Sequence, residues 1–378
     1  MKKSLLAAAL IAGFAGTAHA ETSVTLYGIL DGGIGYQQFK GSNAAGDSFK
    51  ASNTGFADGV QSSNRWGLKG TEDLGEGLKA VFVLENGFKL GSGSQGSSGR
   101  IFDRQATVGL KSDAWGQLEL GRQTNIASQY LAKVLSPFGP DWGQASVGAA
   151  FSAANSVRYD NMIMYQTPKF SGFQFGVGYS FNASGSQQFK DEDGDDPNTR
   201  AWTTGLRYAG GPLAVALAYD QFKTPEGAGV NDGLTVKSWN LGASYDFEVV
   251  KLHAGFGQTR NGWFKNVSAL TAYDYAGYGL NELGSLQAND GMKVNSYVVS
   301  LSAPLGSASS LMASWTMADP KDGGGWGELE KQQVYSLGYT YALSKRTNVY
   351  ALGSYAKGVS FNEDLKATQL ALGLRHRF

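Results

Sequence analysis

The sequence predicts an antiparallel β-barrel that crosses a membrane, and three observations carry that reading. Period-two alternation of apolar with small or polar residues runs almost from end to end of the 378 residues. Past residue 20 there is no apolar run of the about 18 residues that a membrane helix needs, whereas a membrane strand needs only ~10 residues with every second one apolar. The strand segments number sixteen and are joined by connections that are alternately short and long.

Composition agrees. Glycine is abundant at 53 residues, aromatic residues make up 12 %, and charged residues make up only 17 %, against roughly 25 % in soluble domains. Cysteine is absent, so neither a disulfide framework nor a thiolate metal site is available, and nothing in the sequence calls for a cofactor. The N-terminus reads as a Sec signal peptide over residues 1–20. Lys2 and Lys3 form its basic region, an apolar stretch runs from Leu5 to Thr17, and Ala18-His19-Ala20 forms a small-x-small cleavage site. The barrel is expected over residues 21–378. Without Lys2 and Lys3, 30 basic residues face 32 acidic ones, a net charge of −2 that implies no nucleic-acid partner.

The last strand shows the alternation most plainly. Leu370, Leu372, Leu374, His376 and Phe378 share one face; Gln369, Ala371, Gly373, Arg375 and Arg377 share the other. Trp239, Leu241, Ala243, Tyr245 and Phe247 oppose Asn240, Gly242, Ser244 and Asp246, and residues 173–181 and 335–343 repeat the pattern. Large apolar and aromatic residues on one face, with aromatics near the strand ends, suit lipid and its interfaces. Strands are expected at 23–39, 61–72, 78–90, 100–112, 116–123, 155–166, 172–182, 200–209, 213–222, 236–247, 250–261, 292–304, 310–318, 332–343, 347–357 and 367–378. Long connections fall near 40–60, 91–99, 124–154, 183–199, 223–235, 262–291, 319–331 and 358–366. Eight long and seven short connections place both chain ends on the short-turn side. Backbone groups in hydrocarbon must all be paired, so the sheet has to close, and sixteen strands enclose an aqueous lumen.

Several motifs resemble the trimeric general porins of Gram-negative bacteria, in their betaproteobacterial branch. They are SVTLYGILDGGIGY at 23–36, NRWGLKGTEDLGEGLKAVFVLENGF at 64–88, RQATVGLK at 104–111, WGQLELGRQ at 115–123, NSVRYD at 155–160 and the terminal GLRHRF. The resemblance spans essentially the whole chain. It implies a homotrimer set in outer-membrane lipid and lipopolysaccharide, with short periplasmic turns and long external loops. It also implies passive diffusion of ions and small hydrophilic solutes, and a terminal aromatic, Phe378, read by the barrel-assembly machinery. Residues 124–154, which contain Ser136-Pro137-Phe138-Gly139-Pro140-Asp141, correspond to the family's infolded constriction loop, with Asp141 its only acidic residue.

Selectivity in a narrow passage depends on fixed charge. The family places basic side chains opposite the infolded loop, and by motif these are Arg65, Arg104 and Arg158. Arg65 also alternates with Trp66 and Leu68, which points Arg65 and Lys69 into the lumen; each arginine, read blandly, hydrates a wall or ties down a loop. Arg104 shares parity with Ala106, Val108 and Leu110, so either that face is interior or a bulge intervenes. Glu85 and Lys79 oppose Phe82 and Leu84 and are expected in the lumen, and Arg122 opens the constriction loop. The acidic run 190–196 lacks the twelfth-position Glu of an EF-hand and reads as a solvated loop. A modest anion preference is expected, with a substrate-specific channel for organic acids or sugars as the alternative; Trp142 and Trp263 are the aromatics to check for a sugar track. An enzyme is disfavoured because, after the signal peptide, only His253 and His376 remain, on different strands. A soluble sandwich or adhesin has no need of a terminal aromatic.

Overall fold

The computed structural model describes residues 22–42, 46–227, 229, 231–265 and 286–378. The signal-peptide segment lies outside the described residues. The strands are β1 (Ser23–Ser42), β2 (Ser48–Asp58), β3 (Arg65–Gly75), β4 (Leu78–Gly87), β5 (Gln105–Ser112), β6 (Gly116–Thr124), β7 (Arg158–Gln166), β8 (Phe173–Ser180), β9 (Arg200–Gly210), β10 (Leu213–Lys223), β11 (Thr235–Asp246), β12 (Lys251–Trp263), β13 (Gln287–Leu305), β14 (Ser309–Asp322), β15 (Gln332–Ala342), β16 (Thr347–Lys357) and β17 (Lys366–Arg377). From β3 to β17 each pairs antiparallel with the next.

The ring closes on β1. One edge of β1 pairs with β17 from Ile29↔Arg377 to Lys40↔Lys366. Its other edge pairs with β3 over Ser23–Ile29 and with β2 over Gly32–Ser42. β2 and β3 are therefore one barrel strand interrupted at residues 59–64, and the barrel has sixteen strands. At the seam Gly28 and Phe378 exchange both backbone hydrogen bonds, at 3.1 and 3.2 Å.

Boundaries move by up to five residues, as at the strands expected from 100 and 292 that begin at Gln105 and Gln287, and one assignment changes in kind. Residues 48–58, assigned to a loop across 40–60, form strand β2. This stretch has no apolar stripe, with Phe49 and Phe56 its only large apolar residues, so periodicity does not mark it; pairing with β1 forms it. The interruption bends inward and is held on Asp31. The Ser62 N–H donates to Asp31 Oδ2 at 2.6 Å, Gly59 N–H to the Asp31 carbonyl at 2.9 Å, and Asp31 N–H to Asn64 Oδ1 at 2.6 Å.

Side chains divide by strand face as the alternation requires. Leu370, Leu372, Leu374, Trp239, Leu241, Val108 and Ile34 are exposed on the outside, where a membrane would cover them. Ala216, Ala218, Ser238, Thr203 and Ser300 are buried on the inside. What buries them is the connection between β6 and β7. It folds into the lumen as α1 (Ile126–Tyr130), α2 (Ala132–Leu135) and three short 3-10 turns, and it lies along the inner faces of β8 to β16. The apolar core is thus inside the bore, where Ile126, Leu131, Leu135 and Phe151 are wholly buried.

The inner wall is shaped to take this loop. A Cβ on Gly176 would lie 2.6 Å from Ile126 Cδ1, one on Gly242 2.6 Å from Leu135 Cδ2, and one on Gly338 2.6 Å from Phe138 Cε1. Polar groups fix the register. Asn125 Nδ2 donates to Asp220 Oδ1 at 2.7 Å, Ile126 N–H to Thr203 Oγ1 at 2.7 Å, His253 Nδ1 to the Val134 carbonyl at 2.9 Å, and Ser300 Oγ to the Leu135 carbonyl at 3.0 Å. Further on, Ser296 Oγ donates to the Ala150 carbonyl at 2.7 Å, and Gln144 N–H to Gln369 Oε1 at 2.8 Å. Buried hydrogen bonds of this kind are each worth about 1 kcal/mol net, and leaving one partner unpaired costs about 1–3 kcal/mol.

Candidate pore constriction

The loop covers the wall from β8 to β16, so the passage lies between it and the wall built by β1, β3–β7 and β17. Arg65 opens β3 and points inward, with Nε donating to the Ser63 carbonyl at 3.0 Å. Two residues on, Gly67 pairs with both Tyr27 and Glu85, which puts all three positions on one inward row. Arg104 Nε meets Glu85 Oε1 at 2.6 Å, and Tyr27 Oη donates to Glu85 Oε2 at 3.0 Å. Arg104 answers the parity question in a simple way. It precedes β5, whose Val108 and Leu110 face outward, so strand alternation does not bind it and it turns in to Glu85.

Arg158 opens β7, where the β6–β7 register shifts between Gly121 and Gln123 and Asn161 takes φ of 48°. Its Nη1 donates to the Ser156 carbonyl at 3.3 Å, and its Nε is buried without a partner among the described residues. Arg65, Arg104 and Arg158 lie within electrostatic reach of one another and of Glu85. Glu85 is engaged by Arg104, which leaves Arg65 and Arg158 without a bridging carboxylate among the described residues. Facing Arg65 from the loop is Asp141, between Pro140 and Trp142, within electrostatic reach but not bridged.

Of the other expected residues, Lys69 faces the lumen with Nζ 5.5 Å from the centroid of the Tyr27 ring. Lys79 also has inward parity but pairs with Asp73 and Lys111 at the short-turn end of β4, six residues along the strand from Glu85. The structure does not bring it into the cluster. Arg122 sits one step away in an ion-pair knot at the rim: Asp160 takes Arg122 Nη1 at 2.6 Å and Arg100 Nη2 at 2.8 Å, and its Oδ2 accepts the Gly185 N–H at 2.7 Å. Trp142 and Trp263 are both buried. Trp142 packs edge-on between Phe138 and Tyr350, and Trp263 packs against Phe361, so neither lines an open aromatic track. In the acidic loop, Asp196 pairs with Arg200 at 2.7 Å, which pulls its carboxyl down to about 2 against the cost of burial.

Two basic residues at the passage were not singled out from the sequence. Arg375 of β17 bonds Asn348 Oδ1 at 3.1 Å and Ser62 Oγ at 3.0 Å, within electrostatic reach of Asp141 and Arg65. Its place on the small-residue face of the last strand was the available signal. Lys265, just past β12, lies within reach of Arg158, Arg104 and Arg122, and no local pattern marks it.

A closed barrel with a lipid-compatible outside and a charged, loop-narrowed bore defines a membrane channel. The pattern of the Gram-negative porin family matches residues 7–359. The chain is 53 % identical to an outer membrane porin protein of Bordetella pertussis and 34 % identical to outer membrane porin protein 32 of Delftia acidovorans, each alignment covering all of both chains. Among solved structures, the anion-selective porin from Comamonas acidovorans matches with a TM-score of 0.69 at 31 % identity, over 95 % of this chain and all of that one. The chain belongs to the Gram-negative porin family. It resides in the outer membrane and forms a channel for passive diffusion.

Proposed function

We propose that the channel prefers small anions, with Arg65, Arg104 and Arg158 as the selectivity element, joined by Arg375 and faced by Asp141. One observation carries the reading: at the narrow gap beside the loop, four arginines meet three carboxylates, of which Glu85 is bridged by Arg104 and Asp31 is tied to Tyr350 and the Ser62 N–H, so that Asp141 alone faces the passage from the loop. Fixed charge acts strongly there because the passage is partly desolvated, while charge farther than ~8 Å is screened at physiological salt. The similarity to an anion-selective porin supports the same sign. The channel works by diffusion alone, as a homotrimer among lipopolysaccharide and outer-membrane lipid, delivered by the barrel-assembly machinery through recognition of Phe378. Signal-peptide cleavage after Ala20 precedes that step.

The test is the reversal potential of single channels in a KCl gradient. The wild type should show a modest anion preference that fades as salt rises. Replacing Arg65 and Arg158 by Ser should raise conductance and move selectivity toward cations. A cation-preferring wild type whose reversal potential the double substitution leaves unchanged would overturn the arginine reading.

A further inference from the structure

The short-turn mouth of the barrel carries a second group of basic residues, apart from the constriction. The turn between β15 and β16 supplies Lys345 and Arg346, and the end of β17 supplies Arg375 and Arg377. The turn is fixed by its own hydrogen bonds. Ser344 Oγ accepts the Arg346 and Thr347 N–H groups at 3.2 and 3.0 Å, and the Leu343 N–H donates to the Thr347 carbonyl at 2.9 Å. The Arg377 N–H donates to the Arg346 carbonyl at 2.9 Å, which sets those two residues side by side. Arg375 is held through its side chain on Asn348 Oδ1 and Ser62 Oγ, and Asn348 Nδ2 donates in turn to Gln61 Oε1 at 2.8 Å. Together these residues line a cavity of about 200 Å³. It opens to the lumen, because Asn348 shares the inward row of β16 with Tyr350 and Leu352 and stands opposite Arg375.

We propose that this cavity is a second anion site, at the mouth opposite the long loops, where Lys345, Arg346, Arg375 and Arg377 hold a small phosphate-type oxyanion. Charge is the first reason. No carboxylate lines the cavity, and among the described residues none of the four cations takes part in an ion pair. Asp31, within electrostatic reach of Arg375, is committed to Tyr350 and the Ser62 N–H, and the Phe378 carbonyl oxygen takes the Gly28 N–H. Donor geometry is the second. Guanidinium forks match the oxygens of a phosphate two at a time, and the lysine adds a point charge. Size is the third. The space equals about six waters at ~30 Å³ each, room for one tetrahedral oxyanion with part of its hydration shell. Arg375 lies within electrostatic reach of both Arg65 and Arg377, so an anion that has passed the constriction meets the next basic site directly. Successive sites of moderate strength are what conduction needs, since each must admit the ion and release it.

The inference goes beyond the selectivity of the constriction, and one recording separates the two. Chloride currents through the full-length channel are measured in KCl at mildly alkaline pH, where phosphate is mostly dianionic, and inorganic phosphate is added to each chamber in turn. In the wild type it should block at a markedly lower concentration from one chamber than from the other. Lys345→Gln combined with Arg346→Gln should raise the half-blocking concentration on that sensitive side about threefold to tenfold, the effect of losing charge-assisted contacts that are partly exposed. The reciprocal swap, Lys345→Arg with Arg346→Lys, should keep the block. An unheated trimer band for both variants shows that the barrel has formed. Equal block from the two sides overturns the proposal, as does a sided block that the double Gln variant leaves intact. If the wild type prefers cations yet shows a sided block that depends on Lys345 and Arg346, the constriction reading fails and this one stands. The block should persist in bilayers of glycerol monooleate, which has no phosphate headgroup. Insensitivity to free phosphate in phospholipid bilayers, with block only in monooleate, would assign the cavity to lipid headgroups and overturn the solute site.

Discussion

At the scale of single residues, the charge pattern depends on which arginine is satisfied. Glu85 is the hinge, since it binds Arg104 and Tyr27 together. Glu85→Gln keeps the shape but frees Arg104, so the anion preference should rise about 1.5-fold to twofold at low salt. Reversal potentials measure this, and an unchanged value would show that Glu85 lies off the ion path. Much of the cluster was legible in the sequence. Motif similarity pointed to Arg65, Arg104 and Arg158, and strand parity independently turned Arg65 and Lys69 inward. Parity says which way a residue points but not how far along the barrel it sits, which is why Lys79 belongs to the short-turn mouth. It also says nothing beyond strand ends, which is where Arg104 and Lys265 lie.

At the scale of elements, the infolded loop and the strands beneath it are one fitted pair. Glycine, alanine and serine on the inner faces announced a polar lumen in the sequence. What they provide in addition is clearance for Ile126, Leu135 and Phe138, a tertiary reason that no strand reveals by itself. Gly242→Val places methyl groups against Leu135 and Leu131, an overpacking that should destabilise the assembled barrel by about 1–3 kcal/mol and push the loop across the gap, lowering conductance. Adding Leu135→Ala should restore much of both. Thermal denaturation in detergent and single-channel recording read the two effects, and a Gly242→Val channel with unchanged conductance and melting would remove the fitted-pair account. The hairpin return β2 is the converse case: its apolar content is too low for periodicity to detect, and the ladder to β1 creates it.

At the scale of the whole molecule, sixteen strands and the sense of closure followed from alternation and loop lengths, because hydrocarbon tolerates no unpaired edge. The interrupted second strand did not follow, since a detour held by one buried carboxylate, Asp31, leaves no periodic trace. Electrophoresis of unheated samples should show a band near three times the barrel's mass that collapses to the monomer on heating; a monomer under all mild conditions would count against the trimer. Deleting Phe378 removes the β1 partner of Gly28, so the unheated trimer band should weaken strongly while the secreted chain accumulates unassembled. Normal assembly of that variant would show that the last residue is dispensable.

The Gly28–Phe378 pair has a consequence for the cell envelope. A ring closed by pairing its last strand with its first is either whole or bears two raw edges, and raw edges in oil cost several kcal/mol for each orphaned backbone group. A chain cut short by a failed translation event or a protease therefore has no metastable, partly open form in which to lodge. Such a chain is expected to fail to insert rather than to leave an open, leaky sheet in the bilayer.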